Sequence, residues 1–127
     1  MSIKPVVTQN TTAMTPGSDE GTFPTGPVAG VQQLLVALAD PVRLEMVRRL
    51  RNTGVPMACA QLYDGINKST ATHHFKTLRE AGITERLVID GQTHQRLRAD
   101  EVDAAVPGLL DSIVDSANRE ATARVGS

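Results

Sequence analysis

Tryptophan is missing from this chain of 127 residues, and Phe23, Tyr63 and Phe75 are all the aromatic side chains it has. Readers of single strands and of RNA stack bases on exposed rings, so a chain this poor in rings does not fit that class. The one cysteine, Cys59, excludes an intramolecular disulfide and fits a reducing cytoplasm. No stretch approaches the ~18 consecutive apolar residues of a membrane span, and the N-terminus lacks the charged start and apolar core of a secretory leader. Nothing resembles a nucleophile with its base and orienting acid, or a Gly-rich phosphate loop, so neither an enzyme nor a cofactor is expected.

Overall charge is equally uninformative at −1, but its distribution is not. Residues 68–98 carry six Lys or Arg against three Asp or Glu, while residues 99–127 carry two against six. All three histidines, His73, His74 and His94, lie in the basic zone. With 40% hydrophobic residues, the chain is long enough for one core without disulfide or metal support.

Residues 1–27 are rich in Thr, Pro, Gly and Ser without apolar periodicity, and read as a disordered tail. Val31, Leu34, Leu35 and Leu38 then follow helical spacing. Asp40-Pro41 restarts the chain with a capping side chain and a proline suited to a first helical position. The second helix runs to about Arg51, with Leu44, Met46, Val47 and Leu50 to bury, and Asn52-Thr53-Gly54 ends it. A short helix from about Ala58 to Tyr63 offers Leu62 to the core, and Asp64-Gly65-Ile66 turns the chain.

The stretch from Asn67 to Gly82 is the most informative. Asn67 can cap the first turn and Gly82 can close the helix in a left-handed conformation. At roughly 100° per residue, Ala71, Phe75 and Leu78 form one stripe with His74 on its edge, while Ser69, Thr72, His73 and Lys76 share the far side. That outer row has no acidic residue before Glu80. Hydroxyl and longer donor side chains near a helix N-terminus reach base edges and phosphates. Taken alone, the same row fits an ordinary solvated helix face equally well.

Two packed helices joined by a short turn could belong to any small bundle, and the segment after Gly82 separates that reading from a helix-turn-helix. Ile83 to Ile89 is β-prone, Asp90-Gly91 is a strong hairpin turn and Thr93 to Arg98 can return as a second strand. Two helices joined by a tight turn, with a two-stranded hairpin after them, are the parts of a winged helix-turn-helix, mainly α with a small antiparallel wing. Arg86, His94, Arg96 and Arg98 lie on the wing, where charges also serve simply to keep a sheet edge soluble. Wing arginines, Arg96 foremost, are candidates to hold phosphate. Asp100 can cap a C-terminal helical region carrying Leu109, Leu110, Ile113, Val114 and Ala117, divided at Pro107. The globular domain is thus residues 28–118, with 119–127 a flexible tail.

The strings Leu38-Ala-Asp-Pro-Val-Arg-Leu-Glu-Met-Val-Arg-Arg-Leu50 and Ser69-Thr-Ala-Thr-His-His-Phe-Lys-Thr-Leu-Arg-Glu-Ala-Gly-Ile83, with the Asp90-Gly91 hairpin, resemble the ArsR-type (SmtB-like) family of bacterial winged-helix regulators. The resemblance covers residues 28–118. It implies a cytoplasmic homodimer built on the first and last helices, two recognition helices in successive major grooves, and repression relieved by a small-molecule, redox or other chemical signal. Carried over by position, Lys68, Ser69, Thr70, Thr72, His73 and Lys76 are the DNA contacts, joined on the wing by Arg86 and Arg96.

Metal sensors of that family carry Cys-x-Cys before the Asp-Leu of the short helix, where this chain has Ala58-Cys59-Ala60-Gln61-Leu62, or Asp and His on the last helix, which here has no histidine. Neither site is expected. A zinc site built from His73, His74, His94 and Cys59 is disfavoured too, because adjacent helical histidines point about 100° apart. The competing reading is a winged helix used only to bind protein, since fold does not dictate function.

Overall fold

The computed structural model describes residues 21–22 and 26–126. In chain order these form β1 (Gly21–Thr22), α1 (Val31–Leu38), α2 (Pro41–Thr53), β2 (Met57–Ala58), a 3-10 turn (Cys59–Gln61), α3 (Lys68–Glu80), β3 (Thr84–Ile89), β4 (Gln92–Leu97), α4 (Ala99–Ala105) and α5 (Leu109–Gly126).

The junction of α1 and α2 explains the Asp-Pro-x-Arg string. Asp40 accepts hydrogen bonds from the amides of Val42 (2.8 Å) and Arg43 (3.1 Å), and Pro41 takes the first helical position, where no amide is needed. Burial works against the Asp40 charge, but these two amides prevail and hold its carboxyl below the ordinary value. Arg43 then reaches back over the end of α1, where carbonyls lack helical partners. Its Nε donates to the Ala37 carbonyl at 2.7 Å and a terminal nitrogen to that of Val36 at 3.4 Å. Gly54, at φ +73°, closes α2 with its amide on the Leu50 carbonyl at 3.0 Å.

One core unites the helices. Met46, Val47 and Leu50 of α2 belong to the same buried cluster as Leu34 and Leu38 of α1, Phe75 and Leu78 of α3, and Leu110 and Val114 of α5. Leu44, expected to be buried, is only partly covered. Polar ties add direction to the packing of α5 on α2: Arg51 pairs with Asp111 at 2.6 Å, and Asn52 and Asn118 exchange side-chain hydrogen bonds at 3.1 and 3.0 Å.

The structure also departs from the sequence-based expectations in its wing, its short helix and its termini. The wing has four strands in the order β1-β3-β4-β2 rather than two, because Gly21–Thr22 and Met57–Ala58 add antiparallel pairs at its edges. The tail expected through residue 27 therefore contributes one strand, while residues 1–20 and 23–25 lie outside those described. The short helix at 58–63 is a single 3-10 turn after β2, although Leu62 is buried at 1% exposure as expected. Arg98, not Asp100, occupies the cap position of α4, and Asp100 falls in its first turn with Glu101, where carboxylates suit the helix dipole. Finally α5 continues to Gly126, past the expected domain limit at residue 118. The division at Pro107 is as expected, between the end of α4 and the start of α5.

Candidate nucleic-acid interface

Helix α3 begins at a built cap. The Asn67 side chain accepts from the Thr70 amide at 2.8 Å and from the Ser69 hydroxyl at 3.0 Å, which fixes the first turn. Its far end is a Schellman closure: the Ile83 amide donates to the Leu78 carbonyl at 3.0 Å and the Gly82 amide to that of Arg79 at 2.9 Å. Gly82 is at φ +79°, and a Cβ there would stand 2.6 Å from the Pro27 carbonyl oxygen, so only glycine lets the chain entering α1 cross beneath α3. Ala29 completes this crossing by donating to the Ala81 carbonyl at 2.9 Å.

Between these ends the helix has three faces. Ala71, Phe75 and Leu78 are buried, and Tyr63 meets Phe75 edge-on with centroids 6.2 Å apart. Lys68, Ser69, Thr70, Thr72, His73 and Lys76 are all exposed. His74 sits at the boundary, with Nδ1 3.0 Å from an Arg43 terminal nitrogen; a guanidinium only donates, so Nδ1 is the acceptor. The two adjacent histidines thus diverge, His73 to solvent and His74 to the α1–α2 junction. His94, on β4, turns its Nδ1 to the Gln92 carbonyl at 2.9 Å.

The wing divides its arginines by face. Successive residues of a strand point to opposite sides, and the β3–β4 register pairs Arg86 with Gln95 and Glu85 with Arg96. Arg86 therefore shares the face that looks along α3. Together with Lys68 and Thr72 it lines a groove of about 510 Å³ between α3, the 3-10 turn and β4. Arg96 lies on the other face, held by the carboxylates of Glu85 and, at 2.7 Å, Glu101. Burial opposes its charge, yet hydrogen bonds to the two acids raise its pKa above the ordinary value. Arg98 is tied as well, donating to the Gly26 carbonyl at 2.8 Å and the Gly82 carbonyl at 3.0 Å. Of the wing arginines named from the sequence, Arg86 alone joins α3 at this groove, and Arg96 is committed to an ion-pair network of its own chain.

The groove also holds Arg79, which the sequence pattern did not single out. Arg79 comes after Lys68, Thr72 and Phe75 along one helical stripe at i, i+4, i+7 and i+11, a spacing that would have identified it. Burial foremost, and then the neighbouring Arg86, lower its pKa. Cys59 lines the same wall, 3.6 Å from the Gln95 side-chain nitrogen, and burial pushes its thiol up despite that contact.

A capped helix with an exposed hydrogen-bonding face, preceded by a 3-10 turn and succeeded by a wing, defines a winged helix-turn-helix DNA-binding regulator. Comparison with known proteins identifies the kind. Residues 38–86 match the family model of a helix-turn-helix domain. Over 83 residues the chain is 36% identical to the HTH-type transcriptional regulator YceK of Bacillus subtilis (strain 168), spanning 64% of this chain and 83% of that protein. The crystal structure of the transcriptional repressor BigR from Xylella fastidiosa aligns with a TM-score of 0.52 at 32% identity, covering 65% of this chain and 81% of that one. The chain belongs to the ArsR-type family of winged helix-turn-helix transcriptional regulators. Among the described residues no helix is long and apolar enough to cross a membrane.

Proposed function

We propose that this protein is a homodimeric repressor that reads a specific duplex with α3 and is released from it by a chemical signal. The observation that carries this reading is the outer row of α3, Ser69, Thr72, His73 and Lys76, each exposed and with no acid before Glu80 in the last turn, which stands 4.0 Å from Lys76. In this arrangement Lys68, Ser69, Thr70 and Lys76 hold phosphate or sugar, Thr72 and His73 meet base edges in the major groove, and Arg86 holds the backbone from the wing.

Dimerisation is supported by apolar surface on α1: Val31, Leu35 and Val36 are 52%, 49% and 61% exposed. Three large apolar side chains on an eight-residue helix are poorly placed in water and well placed in a two-fold interface. On the last helix, which the resemblance also places in the dimer, Leu110 is 5% exposed within the single chain and belongs to its core.

The test is a set of binding isotherms on the duplex flanking the protein's own gene and on scrambled duplexes. Thr72→Ala and His73→Ala should each cost about 1–3 kcal/mol on the cognate site and much less on scrambled DNA. Folded variants that keep full discrimination would show that α3 is not the reader, and a protein-binding winged helix would take its place.

A further inference from the structure

We infer that His74 is a positioning residue for DNA binding: its neutral imidazole, held by Arg43, restrains the rotation of α3, and protonation ends that hold and weakens the complex with DNA. The effect on DNA rests on the reading of α3 as the helix that meets the duplex.

The contact itself is geometric. His74 is half-buried at the edge of α3, and its Nδ1 stands 3.0 Å from a terminal nitrogen of Arg43. The guanidinium is fixed in turn, because its Nε donates to the Ala37 carbonyl at 2.7 Å and its other terminal nitrogen to that of Val36 at 3.4 Å. A guanidinium has no acceptor, so Nδ1 keeps its lone pair and the proton of the neutral ring lies on Nε2. An imidazolium carries a proton on both nitrogens. Turning the ring over then offers Arg43 no acceptor either, and two cations are left facing each other.

The charged groups that face His74 are Arg43 and Asp40 at the start of α2 and His73 beside it on α3, with ring centroids 5.9 Å apart. Residues 26–38, which form α1 and the chain entering it, bring no titratable side chain. Asp40 is near enough to feel the charge of His74, and the two amides it caps, those of Val42 and Arg43, share one oxygen of its carboxylate. A charged His74 is thus repelled by Arg43 and drawn to Asp40, so protonation exchanges one partner for another.

The exchange reaches DNA through the orientation of the helix. Ala71, Phe75 and Leu78 hold the inner side of α3 by apolar burial, which has little directional preference. A hydrogen bond weakens steeply once bent. The bond from Arg43 therefore restrains rotation about the axis of α3, and that rotation aims Thr72 and His73, the two residues just before His74, at base edges. An imidazole changes charge between about pH 5 and 8. Since the neutral ring makes the contact, its contribution to DNA affinity is present at the upper end of that range and lost as pH falls. His73 works in the opposite sense, because a proton there adds a cation to the face proposed to meet phosphate. A comparison in which His73 is unaltered isolates His74.

Binding isotherms of the full chain on the duplex flanking its own gene, at one salt concentration and at about pH 8 and about pH 5.5, bracket the imidazole range. They compare the unaltered protein with His74→Asn, whose carbonyl replaces Nδ1 as an acceptor that does not titrate, and with His74→Leu, which has no acceptor. At the higher pH, His74→Leu should bind about fivefold or more weakly than the unaltered protein, and His74→Asn should recover most of that loss. At the lower pH, the unaltered protein should fall about fivefold or more below His74→Asn. Thermal melts at both pH values show which proteins are folded; should His74→Leu not fold, the comparison with His74→Asn decides alone. The inference is overturned if the ratio between the unaltered protein and His74→Asn is the same at both pH values, or if folded His74→Leu binds as tightly as His74→Asn at the higher one. Crystal structures of the DNA-free protein at the two pH values read the contact by itself, closed at the higher and open at the lower, and a contact that stays closed in acid overturns the inference as well. A protein that binds no duplex at either pH overturns the repressor reading instead, and those structures then decide whether acid parts His74 from Arg43.

Discussion

Arg96 and Arg86 are two wing arginines of similar sequence context, and alanine at each should have opposite consequences. Arg96 serves Glu85 and Glu101, and the Glu85 side chain is 14% exposed, so removing the cation leaves a nearly buried carboxylate without its partner. Such a loss costs roughly 1–3 kcal/mol. The lower half of that range is the better estimate, because the Arg96 and Glu101 side chains are 34% and 37% exposed and water screens their share. At about 4–8 °C per kcal/mol for a domain of this size, Arg96→Ala should melt on the order of 5–10 °C lower. Removing Glu85 as well should restore part of the loss, as expected for groups that interact directly. Arg86→Ala should weaken all duplexes alike and make the salt dependence of binding shallower by roughly one unit. Differential scanning calorimetry beside a salt series of DNA isotherms reads both. If Arg96→Ala melts normally and loses a salt-dependent contact, the ion-pair network is not its role and the assignment by strand face is refuted.

Leu35→Glu should give a folded monomer by sedimentation at micromolar concentration, with DNA affinity lost in parallel; a variant that remains dimeric would remove α1 from the interface. Gly82→Ala should destabilise by roughly 1–2 kcal/mol for the left-handed backbone alone, and by more because the new Cβ meets the Pro27 carbonyl, so chemical denaturation showing no loss would refute the crossing of the chain beneath α3. The Glu45 carboxyl is held at about 2, against an ordinary 4.5, by its hydrogen bond from Arg48 and secondarily by Arg49, with burial opposing. A depressed carboxylate contributes stability that is complete above its unfolded pKa and lost as pH falls toward its folded one. The advantage of the unaltered protein over Glu45→Gln, about 1 kcal/mol after allowance for screening, should therefore be present at about pH 5.5 and shrink away by about pH 2; a gap independent of pH in that window would refute it.

Local chemistry made much of this legible from sequence. Asn67 and Gly82 bound α3 because capping and left-handed closure are properties of single residues in a short window, and Asp90-Gly91 bound the hairpin for the same reason, with φ of +53° and +75°. What escaped depended on partners far along the chain. The 3-10 turn at Cys59–Gln61 is short because Met57–Ala58 are taken up by pairing with Gln95 and His94 on β4. Leu110 carries the pattern of an interface residue and is core, since a helical stripe records that a face is covered and not what covers it. The ion pairs of Arg96 were hidden by geometry of period two: residues 95 and 96 point to opposite faces, and only the register with β3 reveals that Arg96, expected at phosphate, meets Glu85.

Arg43 gives the two strings that carried the family resemblance a common physical basis. They are separated by the whole turn region, and Arg43 and His74 differ by 31 positions, yet their side chains stand 3.0 Å apart. The same guanidinium closes the end of α1 through the Ala37 carbonyl, while Asp40, three residues earlier, caps α2 by accepting from the Arg43 backbone amide. The Arg43 side chain thereby ties the end of α1 to the edge of α3, while its backbone amide receives the cap of α2 from Asp40. A lysine in that place would keep the charge but present one compact ammonium where a planar fork now spans a carbonyl and an imidazole, so the exchange is not conservative here. Because α1 also carries Val31, Leu35 and Val36 on its exposed side, the contact through Arg43 joins the apolar face proposed for dimerisation to the helix proposed to read DNA. In the proposed dimer, the angle of α3 relative to its two-fold mate would be set by a hydrogen-bonded joint as well as by core packing, which is what reading two successive grooves with one rigid spacing requires.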